Sequence, residues 1–170
     1  MKLKGNLITL RPLEKSDAPA LAKVANNKKI YDNVRDMFPH PYSLEDANQF
    51  IDFVQKATDT PRFAIEYQGE FAGMIGLHLQ PDVYRKSLEI GYWLGETFWG
   101  KGIATEAVKL IVDYGFKHHD INRIWAGMFE YNKATKRVLE KNGFEMEGVL
   151  KKAVFKNGEY WDEHRMGILR

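Results

Sequence analysis

The sequence predicts an α/β domain: one mixed, mostly antiparallel sheet of six to seven strands flanked by about four helices. Three observations predict it. Short alternating apolar runs recur from Leu7 to Leu169, as half-buried strands require. Stripes of helical period separate several of them. Hairpin turns join some of the runs, which makes those pairs antiparallel, whereas the run after the longest helix must return by a crossover.

Taken in order, Leu7–Pro12 reads as a strand stopped by proline. Ser16 is the expected N-cap of a helix carrying Ala20, Leu21, Val24 and Ala25. Residues 26–43 are irregular, yet they hold Tyr31, Met37, Phe38 and Tyr42, aromatic side chains that suit either a binding wall or a core edge. Ser43-Leu-Glu-Asp46 resembles a capping box opening a helix with Leu44, Ala47, Ile51 and Val54 on one stripe. Arg62–Tyr67 and Phe71–Leu79 form a hairpin about Gln68-Gly69-Glu70. Leu88–Leu94 alternates, with Leu88, Ile90, Tyr92 and Leu94 on one face and Glu89, Gly91 and Trp93 on the other. A helix to about His118 follows, then a strand at Asn122–Phe129 and a short helix at Asn132–Asn142. Phe144–Lys151 and Val154–Leu169 complete the chain as strands, with a turn at Lys156–Glu159.

Composition narrows the function classes. The 170 residues suit one domain, 1–170, and 44% apolar with 13% aromatic residues excludes a disordered chain. A net charge of +2 gives no footing for a nucleic-acid partner. Cysteine is absent, which removes disulfides and thiolate chemistry. No apolar run reaches membrane-spanning length and the N-terminus lacks a signal-peptide core; a cytoplasmic protein without a membrane partner is expected.

The stretch Gly95–Ala107 carries the strongest functional signal. It runs strand, glycine loop, helix start, and Gly100 and Gly102 let backbone N–H groups converge on an anion at the positive end of the helix. A P-loop is one reading, since Gly95-x-x-x-x-Gly100-Lys101 fits, but Gly102 replaces the magnesium-binding Ser/Thr. In a dinucleotide loop Thr105 would stand where a third glycine belongs. A glycine turn without ligand is the remaining alternative. Glu89, on the strand entering the loop, is either a general base with its pKa raised by burial or a solvated ion-pair partner. Asn132 and Thr135 lie one turn apart at a helix start, so both can face one site, or Asn132 is simply the N-cap. No metal-ligand spacing and no Ser–His–Asp arrangement appears.

Four stretches together resemble the GNAT superfamily of N-acetyltransferases, in its RimJ/RimL-type branch: Glu89–Gly95, Phe98–Ala107, Asn132-Lys-Ala-Thr135 and Leu139–Glu145. Leu7–Leu13 and Asp162–Met166 fit that branch as well, so the resemblance spans the chain. It implies acetyl-coenzyme A as donor and no metal, with the pyrophosphate on the backbone of Gly100, Lys101, Gly102, Ile103, Ala104 and Thr105. The pantetheine would follow the strand edge at Trp93 and Leu94 and meet Asn132. An amine acceptor, a protein N-terminus or a small amine, would attack the thioester directly, with Glu89 as base. Trp99 stands where many relatives carry Arg or Gln. Leu139 stands where many carry a Tyr that protonates the leaving thiolate, and Thr135 is the candidate donor in its place. The acceptor walls are expected at Tyr31, Phe38, Tyr160 and Trp161. A coenzyme A-binding module without catalysis is the second reading. The resemblance admits a monomer or a homodimer.

Overall fold

The computed structural model describes residues 1–57 and 60–170. Its strands are β1 (Leu3–Lys4), β2 (Ile8–Arg11), β3 (Arg62–Tyr67), β4 (Glu70–Leu79), β5 (Ser87–Leu94), β6 (Arg123–Phe129), β7 (Glu145–Lys156) and β8 (Glu159–Leu169). Its helices are α1 (Ala18–Ala25), the single turn α2 (Lys28–Tyr31), α3 (Leu44–Lys56), α4 (Ile103–His118) and α5 (Lys133–Lys141). The strands form one sheet in the order β1-β2-β3-β4-β5-β6-β8-β7.

This is the expected architecture with two corrections. The described residues hold eight strands, not six to seven, because Leu3–Lys4 pairs with β2; two residues are too few to show alternation in sequence. Ser16 does not cap α1. Lys15–Asp17 form a 3₁₀ turn, and α1 starts at Ala18. The reason is Asp17, whose carboxylate accepts Glu14 N–H at 2.8 Å and a two-pronged contact from Arg11 at 2.8 Å on each oxygen. That buried pair sets the local geometry ahead of the serine.

The capping box at Ser43 forms as expected, with the hydroxyl accepting Asp46 N–H at 3.1 Å and Asp46 accepting Ser43 N–H at 2.7 Å. The alternation in β5 sorts the two cores. Leu88, Ile90 and Leu94 join Ile103, Ala107, Val108 and Ile111 of α4 and Leu139 of α5 in one cluster. Trp93 packs on the other face, against the cluster that includes Leu21, Ala47, Ile51, Phe71 and Met74. Each fully buried Ile or Leu contributes about 1.5–3 kcal/mol, so β5 is fixed in register from both sides.

β5 and β6 are the parallel pair the crossover demanded, but they pair only at Ser87↔Arg123, Leu88↔Ile124 and Glu89↔Trp125. β5 stays bonded to β4 out to Leu94↔Gly73, and β6 to β8 out to Phe129↔Glu163. The sheet therefore opens into a wedge beyond Glu89. No helix among the described residues is long and apolar enough to cross a membrane.

Candidate active site

The wedge faces the glycine loop. After β5 a 3₁₀ turn at Glu96–Phe98 leads into Trp99-Gly-Lys-Gly102. Gly100 and Gly102 take φ of +74° and +78°, which an L side chain rarely adopts. Gly102 occupies the N-cap position with no side-chain cap, and Glu106 N–H is the first to reach a helical acceptor, Gly102 O at 3.1 Å. The first-turn N–H groups of Ile103, Ala104 and Thr105 are thus directed outward at the positive end of a 16-residue helix. Trp99 donates its indole N–H to Leu94 O at 2.7 Å and bolts the loop to the end of β5. Lys101 lays its ammonium 5.7 Å from the centroids of both Tyr67 and Phe98, so what the loop presents here is backbone.

Glu106 secures this corner. Its carboxylate accepts the N–H groups of Asn6, Leu7 and Ile8 at 2.7–3.0 Å, tying the entry of β2 to the first turn of α4. Nothing in the local sequence signals that clamp.

Trp93 and Leu94 lie on β5 past its last pairing with β6. The Leu94 side chain is buried, while the Trp93 ring meets Phe38 edge-on at 5.5 Å. Asn132 caps α5, its Oδ1 accepting Thr135 N–H at 3.1 Å. Thr135 lies beside the Tyr92 phenol. Burial pushes that phenol up to about 12, the Thr135 side chain opposing the rise. Its oxygen has no bonded partner within hydrogen-bonding geometry among the described residues. Leu139 is fully buried in the core. Tyr92 is a residue that sequence reading assigned only to the apolar face.

Glu89 stands at the apex of the wedge, on the face opposite α4. Its side chain is 17% exposed and accepts Arg35 Nη2 at 2.5 Å. Burial raises its pKa, Arg35 and Arg165 work against the rise, and Glu163 adds to it. Glu89 is thus a half-buried carboxylate with a raised pKa that is also an ion-pair partner of Arg35. His78 lies across from it in the β4–β5 register, pushed down to about 4 by burial and by the nearby Arg62 and Arg35, and is neutral at pH 7.

A cleft of about 600 Å³ runs from Trp99 past Tyr131 and Asp32 to Trp161 and Lys156. Trp161 lines it, edge-on to Tyr131 at 4.9 Å. Tyr31 adjoins it through Lys156, whose ammonium sits 3.5 Å from the Tyr31 ring centroid. Phe38 instead packs on Trp93 and Tyr42. Tyr160 is 67% exposed and packs on Phe155, since neighbouring strand residues point to opposite faces. The structure thus gathers Tyr31 and Trp161 and leaves Phe38 and Tyr160 outside the cleft. Lys156, read from sequence as a turn residue, is 2% exposed and bonded to Asp36 at 2.6 Å.

Residues 8–145 match the acetyltransferase (GNAT) domain family. The chain belongs to that family. The probable N-acetyltransferase YjcK of Bacillus subtilis (strain 168) is 35% identical over 96% of this chain and 94% of its own length. Spermidine N(1)-acetyltransferase of Escherichia coli (strain K12) is 30% identical over 96% of this chain and 86% of its own. Among solved structures, RimL, the ribosomal L7/L12 alpha-N-protein acetyltransferase in complex with coenzyme A, superposes with a TM-score of 0.88 at 25% identity, covering 99% of this chain and 98% of that one. This GNAT protein is accordingly an N-acetyltransferase with acetyl-coenzyme A as its donor. The glycine loop and uncapped helix start lie beside the open edge of β5.

Proposed function

We propose that this enzyme acetylates a primary amine, a protein N-terminus or a small amine, by direct attack on the thioester held in the β5–β6 wedge. The observation that carries the reading is the wedge itself, which opens at Glu89 and faces an uncapped, glycine-led helix start. The pyrophosphate rests on the backbone of Gly100 to Thr105. The pantetheine follows the unpaired edge at Trp93 and Leu94 and meets the Nδ2 of Asn132, whose Oδ1 is engaged by Thr135 N–H.

Donor and acceptor then approach from opposite faces. α4 and α5 lie on the Tyr92 face, while Glu89 and Trp93 look toward the other. Holding both reactants at one opening supplies most of the acceleration, because the entropy of bringing them together is already lost on binding. A primary ammonium is mostly protonated at neutral pH, and Glu89, directly or through a water, takes its proton. The amine nitrogen bonds to the carbonyl carbon, β5 backbone N–H polarises the oxygen, and the carbon–sulfur bond breaks. The leaving thiolate takes a proton through the Thr135 hydroxyl, which water reprotonates, while the acylated nitrogen sheds its second proton to water. Tyr31 and Trp161 wall the acceptor channel; Phe38 acts behind Trp93, and Tyr160 belongs to the outer rim.

Calorimetric titration of acetyl-coenzyme A into wild type and Gly102→Glu tests the donor site, followed by thiol release over amines and N-terminal peptides. Wild-type binding that disappears in Gly102→Glu supports the loop assignment, because the new carboxylate lies in the anion cradle on a backbone it strains. Equal binding by both proteins refutes it.

A further inference from the structure

The Glu89 carboxylate is covered by a cation that this chain brings itself. Arg35 comes from the segment between α2 and α3, and its side chain is 71% exposed although it bonds a carboxylate only 17% exposed. Its backbone neighbourhood is clamped on both sides. Asp32 accepts Asn157 Nδ2 at 2.8 Å, and the Tyr131 hydroxyl donates to Asp32 O. Asp36 accepts the buried Lys156 ammonium at 2.6 Å and the Tyr31 hydroxyl at 3.2 Å. A long exposed side chain on a clamped backbone can swing away without moving its loop, and an exposed guanidinium is cheap to release.

A second carboxylate waits across the wedge. Glu163 of β8, also 17% exposed, lies over Gly127 of β6, where any Cβ would collide with its Oε1. The residues facing Glu89 are then Arg35 from the loop, neutral His78 from β4, Trp125 from β6, and Glu163 and Arg165 from β8. Arg165 is engaged within that set, stacked over Trp125 at 4.7 Å and 3.6 Å from Glu163. Arg35 is the more exposed of the two arginines, 71% against 41%.

We propose that Arg35 occupies the acceptor-amine position in the free enzyme, and that the incoming primary ammonium displaces it and is held between Glu89 and Glu163. The proposal rests on the reading of Glu89 as base and adds two residues to it. With Arg35 displaced, no cation is left beside Glu89 once the ammonium has given up its proton, so the protonated carboxyl is favoured over ionised Glu89 only when an acceptor is present. The ammonium gives one proton to Glu89, the free amine attacks the thioester carbon and sheds its second proton to water, and the thiolate takes one through the Thr135 hydroxyl, which water reprotonates. Glu89 returns its proton to solvent before Arg35 closes again.

The test uses full-length protein, butylamine and a tetra-alanine peptide with a free N-terminus as acceptors, and ¹³C-detected titration of the Glu89 carboxyl. In Arg35→Gln the Glu89 titration and the acid limb of kcat/KM move to higher pH, and acceptor KM falls about threefold or more, with Arg35→Lys between it and wild type. In Glu163→Gln the limb moves to lower pH and acceptor KM rises about tenfold, near the lower end of the cost of losing one charged contact. Acetyl-coenzyme A affinity stays put in both. If Arg35→Gln raises acceptor KM, or if neither variant moves the Glu89 titration, the proposal is overturned. Glu89→Gln separates the two levels. Full activity in that variant overturns the base assignment along with the proposal, whereas an inactive Glu89→Gln beside an unaffected Arg35→Gln overturns the proposal alone.

Discussion

At the scale of single residues, burial decides which charges matter. Arg11 and Asp17 are both buried and share two 2.8 Å bonds, with Glu66 adding a third contact to Arg11 at 2.5 Å. Burial alone would raise Asp17, but Arg11 and the Glu14 N–H hold it below the usual carboxylate range. Arg11→Met strands a buried carboxylate, and an unfolding titration should show a loss of about 3–5 kcal/mol at pH 7. The sign with pH follows. A depressed folded pKa means the pair's contribution is complete above the unfolded value of about 3.9 and fades as pH falls through the lower folded one. The gap between wild type and Arg11→Met therefore narrows below about pH 4. Thr135 carries a different prediction. Thr135→Val keeps the shape and removes the hydroxyl beside the Tyr92 phenol, so kcat should fall about a hundredfold or more, within the usual range for one proton-transfer group, while acetyl-coenzyme A affinity is kept and Thr135→Ser restores turnover. An unchanged kcat in Thr135→Val would remove it from the mechanism.

At the scale of elements, two helix starts do two jobs. α4 begins uncapped behind Gly102, leaving its N–H groups for a ligand, whereas α5 begins behind a working cap, Asn132 to Thr135 N–H. Asn132→Ala should cost about 1 kcal/mol of stability and also weaken acetyl-coenzyme A binding. A stability loss with unchanged donor affinity would reduce Asn132 to its cap. Asn142 supports both helices, its side chain donating to Val138 O at 2.8 Å and Thr105 O at 3.2 Å. That bond keeps α5 beside the first turn of α4, so the residues expected on the pantetheine and on the phosphates share one frame.

At the scale of the whole molecule, the cleft proposed for the acceptor is assembled from parts far apart in the chain. Lys156 and Asp36 are 120 residues apart, Tyr131 and Asp32 99 apart, and both contacts close the cleft that Trp161 lines. Trp161→Ala should raise acceptor KM and leave acetyl-coenzyme A binding alone, measured by thiol release against calorimetry. The reverse pattern would move Trp161 to the donor side.

The legibility of this protein follows the range of its interactions. Strand alternation in β5, the paired glycines before α4, the capping box at Ser43 and the cap at Asn132 are contacts within a few residues, so side-chain chemistry and spacing determined them in the sequence itself. Glu89 was legible as a candidate because one strand face carries it, but its surroundings were not. Arg35 is 54 residues away and Glu163 is 74 further on. Both come near Glu89 only because β6 lies between β5 and β8 in the sheet and the α2–α3 segment is pinned over them. The same holds for Ser16, whose local preference for capping lost to a buried Arg11–Asp17 pair. Local rules thus set the elements and the glycine loop. Which charges meet at the wedge, and so how strongly Glu89 holds its proton, was decided by the tertiary structure, since burial and long-range pairing exist only once the sheet has closed on both of its cores.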